Sequence, residues 1–84
     1  MADYDKQNMV KARLLVLTDM FNEKTDEYHW MDTFEIIDYL AENVVPANTK
    51  TLRSDLALLK VHGMDIITIP GRPNKYYCGA RLLT

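Results

Sequence analysis

The stretch NTKTLRSDLALLKVHG, Asn48–Gly63, holds a whole helix with both of its ends. Asn48 is a strong N-cap residue, because its side-chain oxygen can accept from a backbone N–H of the first turn. Gly63 suits the left-handed position that closes a helix, so the segment is predicted to run from Asn48 to about His62. At 100° per residue, Leu52, Leu56 and Leu59 fall within about 60° of one another. Lys50, Arg53, Ser54, Ala57 and Lys60 fall on the other side. The helix therefore has an apolar back and a front with three cations and no anion.

Upstream, Val44-Val45-Pro46 stops a preceding helix, since the residue before proline avoids the α region. That helix starts at Asp32, with Glu35 three residues on, an Asp-type capping box. Its expected buried stripe is Ile36, Ile37, Leu40 and Ala41. Before it, NEKTDEYHWM (Asn22–Met31) is polar and aperiodic and reads as a loop. The first helix is predicted over about Lys6–Asn22, with Val10, Leu14, Leu17 and Phe21 on one face and Leu15 and Met20 widening it. Lys6, Lys11, Arg13, Asp19 and Glu23 lie mostly outside that face, and Asp3 or Asp5 is expected to cap the start. Downstream the period changes. Asp65–Ile69 (DIITI) is β-branched and reads as a strand, Pro70–Asn74 as a turn, and Lys75–Cys78 (KYYC) as the returning strand.

The chain of 84 residues has room for one core, so residues 1–84 are predicted to form a single domain. With 48% hydrophobic and 26% charged residues it fits a folded globular domain rather than a disordered tail. One cysteine, Cys78, excludes an intrachain disulfide, and two histidines with it make no metal-ligand spacing. The N-terminus lacks a signal-peptide core, and no apolar run approaches the roughly 20 residues of a membrane span. These features predict a cytoplasmic, membrane-free location. No nucleophile–base–acid set and no phosphate-cradling glycine loop is present, so neither an enzyme nor a cofactor is expected.

Helix, helix, short turn, helix and hairpin is the order of a winged helix-turn-helix: mainly α, three helices plus a two-stranded wing. Such a fold places its third helix in the major groove of duplex DNA. The expected contacts on that helix are Asn48, Thr49, Lys50, Thr51, Arg53, Ser54 and Lys60. Arg72, Asn74 and Lys75 are the expected contacts on the wing. Arg53 leads this set, because a guanidinium can grip guanine or phosphate with two hydrogen bonds. Asp55 is assigned a structural contact, since phosphates repel a carboxylate.

Three segments also resemble one family. TKTLRSDLALLKVHGMDI (Thr49–Ile66), TDEYHWMDTFEIIDYL (Thr25–Leu40) and GRPNKYY (Gly71–Tyr77) resemble the N-terminal winged-helix domain of bacterial WYL-domain and DeoR-type transcriptional regulators. The likeness spans about Lys11 to Arg81, with Thr51, Leu52, Arg53, Asp55, Leu56 and Gly63 on the signature. Ser54 replaces a frequent second basic residue, and His62 replaces a usual aliphatic. The resemblance implies transcription regulation, a homodimer on a paired DNA site, and a linker at 79–84 toward a further C-terminal domain. The alternative is a protein–protein module that uses its acidic N-terminal half.

The remaining notable side chains have plainer readings. Trp30 is expected to cover the core rather than bind a ligand, and His29 to bond within its loop. One of Tyr76 and Tyr77 is expected to face inward. The net charge of −2 taken alone opposes DNA binding. It averages two halves: residues 1–45 carry four cations against ten acids, and residues 46–84 carry six against two. The cationic half holds the proposed helix and wing.

Overall fold

The computed structural model describes residues 2–79, and for residues 2–7 the backbone alone. Three helices, α1 (Ala2–Lys24), α2 (Thr33–Glu42) and α3 (Thr49–Val61), pack with a small antiparallel sheet of β1 (Met31–Asp32), β2 (Ile66–Ile69) and β3 (Lys75–Cys78). The sheet order is β1-β3-β2. The first helix is longer than its apolar period. Residues 2–8 carry no Gly or Pro to stop it, so Asp3 and Asp5 lie inside α1 and do not cap it.

The buried face of α1 is also rotated from the expected one. Leu17, Met20 and Phe21 are completely buried, but Leu15 is 68% exposed and Arg13 only 6%. Arg13, Leu17 and Met20 share one face at the i, i+4, i+7 spacing. A charged residue there hides the stripe from a hydrophobic pattern. Past the helix end, Thr25 is buried. Its hydroxyl donates to the Phe21 carbonyl at 2.7 Å and accepts from the Cys78 N–H at 3.1 Å, which ties α1 to β3.

The segment expected to be a loop ends in strand. Asp26 and His29 exchange backbone hydrogen bonds of 3.0 and 3.2 Å, and the chain then enters β1. Met31 pairs with Tyr76 and Asp32 with Lys75, so the sheet has three strands rather than the two of a simple hairpin. Two residues carry no alternation, which is why β1 leaves no pattern in the sequence.

The capping box of α2 is formed. The Asp32 carboxylate accepts from the Glu35 N–H at 2.8 Å, and the Glu35 carboxylate accepts from the Asp32 N–H at 2.9 Å. Its buried residues are Thr33, Ile36 and Leu40; Ile37 is half-buried, and Ala41, expected inside, is exposed. The face centres on the 33, 36, 40 spacing, which leaves Ala41 a step beyond it. Both α2 and α3 end in the same six-residue motif. In α2, Val44 N–H donates to Ala41 O and Val45 N–H to Leu40 O; in α3, Gly63 N–H donates to Lys60 O and Met64 N–H to Leu59 O. The left-handed position is Gly63 (φ 100°) in α3 but Val44 (φ 61°) in α2.

The hairpin pairs Ile66 with Cys78, Ile67 with Tyr77, Thr68 with Tyr76 and Ile69 with Lys75. One core joins all layers. Ile36, Leu40 and Leu52 are as deeply buried as Leu17, Met20 and Phe21, with Leu56, Met64, Ile66, Tyr76 and Cys78 around them. Of the expected linker at 79–84, only Gly79 falls within the described residues. Among these, no helix is long and apolar enough to cross a membrane.

Candidate nucleic-acid interface

The third helix begins where Asn48 accepts from the Thr51 N–H at 2.8 Å. That bond commits the Asn48 side-chain oxygen to the cap. Beyond it the helix is two-faced, as its spacing predicts. Leu52, Leu56 and Leu59 are buried, while Lys50, Arg53, Ser54, Ala57 and Lys60 are exposed. Thr49 and Thr51 are half-buried.

The one acid in α3, Asp55, is 2% exposed. Both of its oxygens accept from Arg13 of α1: one from Nε, the other from Nη2 at 3.3 Å. Burying a charge is costly unless it is paired and hydrogen-bonded, and this two-pronged pair meets that need. The pair also removes the only negative charge from the exposed side of α3. Among the described residues, no buried side-chain N or O lacks a partner.

The hairpin loop is built on Asn74. Its side-chain oxygen accepts from the Gly71 N–H at 2.9 Å, closing the turn. Its carbonyl accepts from the Thr33 N–H at 3.0 Å and from the Thr33 hydroxyl at 3.3 Å. The start of α2 thus anchors the loop. The Arg72–Pro73 peptide is cis, and Arg72 and Lys75 are exposed.

Two adjoining clefts lie between these elements. The larger, about 420 Å³, is bounded by Thr33 and Phe34 of α2, Thr49 and Arg53 of α3, and the loop from Gly71 to Asn74. The smaller, about 270 Å³, runs between the exposed side of α3 (Arg53, Ala57, Lys60) and the hairpin (Thr68, Asn74, Tyr76). Arg53 and Asn74 border both. Of the ten predicted contact residues, Thr49, Arg53, Lys60, Arg72 and Asn74 line these clefts. Lys50 and Ser54 sit elsewhere on the exposed face of α3, Lys75 at the start of β3, Thr51 half inside, and Asn48 at the cap.

Sequence reasoning missed Phe34 and Thr33. Phe34 is 61% exposed and stands off the 33, 36, 40 stripe. A large aromatic away from the buried stripe was the available signal.

The aromatic residues divide as follows. Tyr76 is buried and lines the smaller cleft. Tyr77 stacks on Trp30, with ring centroids 6.2 Å apart and planes at 22°. The Trp30 Nε1–H donates to the Glu27 carbonyl at 3.1 Å, so Trp30 covers Tyr77 rather than the core. His29 bonds within its own loop, Nδ1 lying 2.9 Å from Asp26 Oδ1. That bond, then the Tyr28 N–H, hold the Asp26 carboxyl below its ordinary value. Comparison with protein-family models, with curated proteins and with solved structures yields no match to this chain.

Proposed function

We propose that the chain is a winged helix-turn-helix domain that binds double-stranded DNA sequence-specifically in transcription regulation. α3 enters the major groove, and the β2–β3 loop rests on the adjacent backbone or in the minor groove. One observation carries this reading. The exposed side of α3 and the hairpin loop flank one run of clefts edged by Arg53, Lys60 and Arg72, while Asp55 is turned inward onto Arg13. Cations without an intervening acid suit a phosphate backbone, and an α-helix fits the major groove. The Asn74 anchor supports the same reading, because a fixed loop meets the backbone without first being ordered.

Regulatory domains of this size gain affinity by acting in pairs, so a homodimer on two half-sites belongs to the proposal. Selection from random duplexes tests it. The expected result is an enriched motif whose protection centres on a major groove. No enrichment and no duplex binding at about 50 mM salt would sink the reading. That outcome would favour a protein partner for the acidic N-terminal half.

A further inference from the structure

The larger cleft has a feature that backbone contact alone leaves unused. Its wall combines two guanidiniums, Arg53 and Arg72, with the exposed ring of Phe34. Among the described residues neither arginine pairs with a carboxylate. Leaving a ring that size in water costs hydrophobic free energy, and α2 has a buried stripe elsewhere that Phe34 does not serve. Thr33 and Asn74, which also line it, are joined by two hydrogen bonds that hold the start of α2 to the loop, so the cleft does not depend on a ligand to form.

We infer that this cleft binds a phosphate ester together with the flat group it carries, the chemistry of a single nucleotide. Arg53 and Arg72 take the phosphate, since guanidinium forks match its oxygens. Phe34 packs against the base or sugar, a contact that tolerates any base because each has a π face. At about 420 Å³ the space is of the size that small-molecule sites have. The inference deepens the DNA reading and rests on it for the source of the phosphate. A duplex backbone and a free nucleotide both offer the phosphate and its sugar, and the free nucleotide adds an exposed base face.

The test is an amide-resolved NMR titration of the full 84-residue chain with thymidine 5′-monophosphate, thymidine and inorganic phosphate. The nucleotide is expected to move the signals of Thr33, Phe34, Thr49, Gly71 and Asn74 at roughly tenfold lower concentration than phosphate does. Phe34→Ala should erase that preference, and Arg72→Gln should weaken nucleotide and phosphate alike. Phe34 lies outside the core, and an unchanged spectrum elsewhere confirms that each variant folds. Equal response to phosphate and nucleotide, response confined to other residues, or no response would overturn the site.

A second arm adds a random-sequence duplex. Displacement of the nucleotide assigns the cleft to the DNA backbone. Simultaneous binding of both keeps the site and assigns it to a free nucleotide. Nucleotide binding by a chain that binds no duplex keeps the site while the DNA reading fails.

Discussion

Asp55 and Arg13 illustrate how one pair of side chains sets what α3 shows to solvent. Paired, the two charges satisfy each other inside the core. Removing one strands the other. Asp55→Ala is expected to lower stability by about 3–5 kcal/mol, a large share of what a small domain has. The double replacement Arg13→Met/Asp55→Leu should recover most of that loss, since a well-packed apolar pair often equals a buried ion pair. Urea unfolding of the single and double variants measures both; a single variant within about 1 kcal/mol of the parent would show that the pair is not integral to the core. A second residue-scale prediction concerns the exposed Asp26. Its carboxyl is lowered chiefly by the His29 hydrogen bond. A depressed folded-state value contributes stability above the unfolded-state value, and that contribution is lost as pH falls through the folded one. The window therefore lies on the acid side of the ordinary carboxylate range. His29→Ala should move the NMR-detected titration of Asp26 upward, and an unmoved titration would assign the shift to the Tyr28 N–H.

At the scale of elements, the matched ends of α2 and α3 make a controlled comparison. Each closes on a left-handed residue, but only α3 places glycine there. A side chain added at Gly63 would meet nothing within 4 Å, so the cost of Gly63→Ala is conformational alone. It is expected to be about 1–2 kcal/mol. Val44→Gly should act oppositely. Val44 is largely exposed, so little burial is lost while a β-branched residue leaves a strained region. Relief of about 1–3 kcal/mol, offset by the greater freedom of glycine in the unfolded chain, predicts a net gain of up to about 1 kcal/mol. Thermal unfolding of both variants checks the pair. These ends also show what the sequence discloses and what it conceals. Asn48, Asp32, Glu35 and Gly63 are locally decisive, so α2 and α3 were legible from them, as the hairpin was from the β-branched Asp65–Ile69 and the Pro70–Asn74 turn. The tie between the end of α1 and β3, the burial of Arg13 and the strand β1 depend on partners far along the chain, at Cys78, Asp55 and β3. No short-range pattern contains those partners. For the site, the cationic side of α3 and Arg72 were legible from charge and spacing. The part played by α2 was not, because it arises where Thr33 meets Asn74, 41 positions away.

For the whole molecule, the distribution of charge decides more than its sum. The chain is acidic overall, yet exposed charges farther apart than about 8 Å are largely screened at physiological ionic strength. The charges that line the clefts are Arg53, Lys60 and Arg72, and the acids next to the lining residues Thr33 and Phe34, Asp32 and Glu35, are engaged in the capping box of α2. Salt dependence separates local from global charge. Each phosphate neutralised contributes about 0.9 to the slope of log affinity against log salt. Arg72→Gln is expected to reduce the magnitude of that slope by about one, and equally on a selected site and on random duplex, as a backbone contact should. Arg53→Ala separates its two possible contacts: an equal loss on both duplexes is expected if Arg53 holds the phosphate of the larger cleft, and a loss about 1–3 kcal/mol greater on the selected site would mean that its fork reads a base instead. Glu23→Gln, on the exposed side of α1, leaves the slope unchanged even though it alters the net charge by one unit, as Arg72→Gln does in the opposite direction. A slope that followed net charge regardless of position would mean that the chain meets DNA as a diffuse polyion. It would also remove α3 and the hairpin loop from the interface.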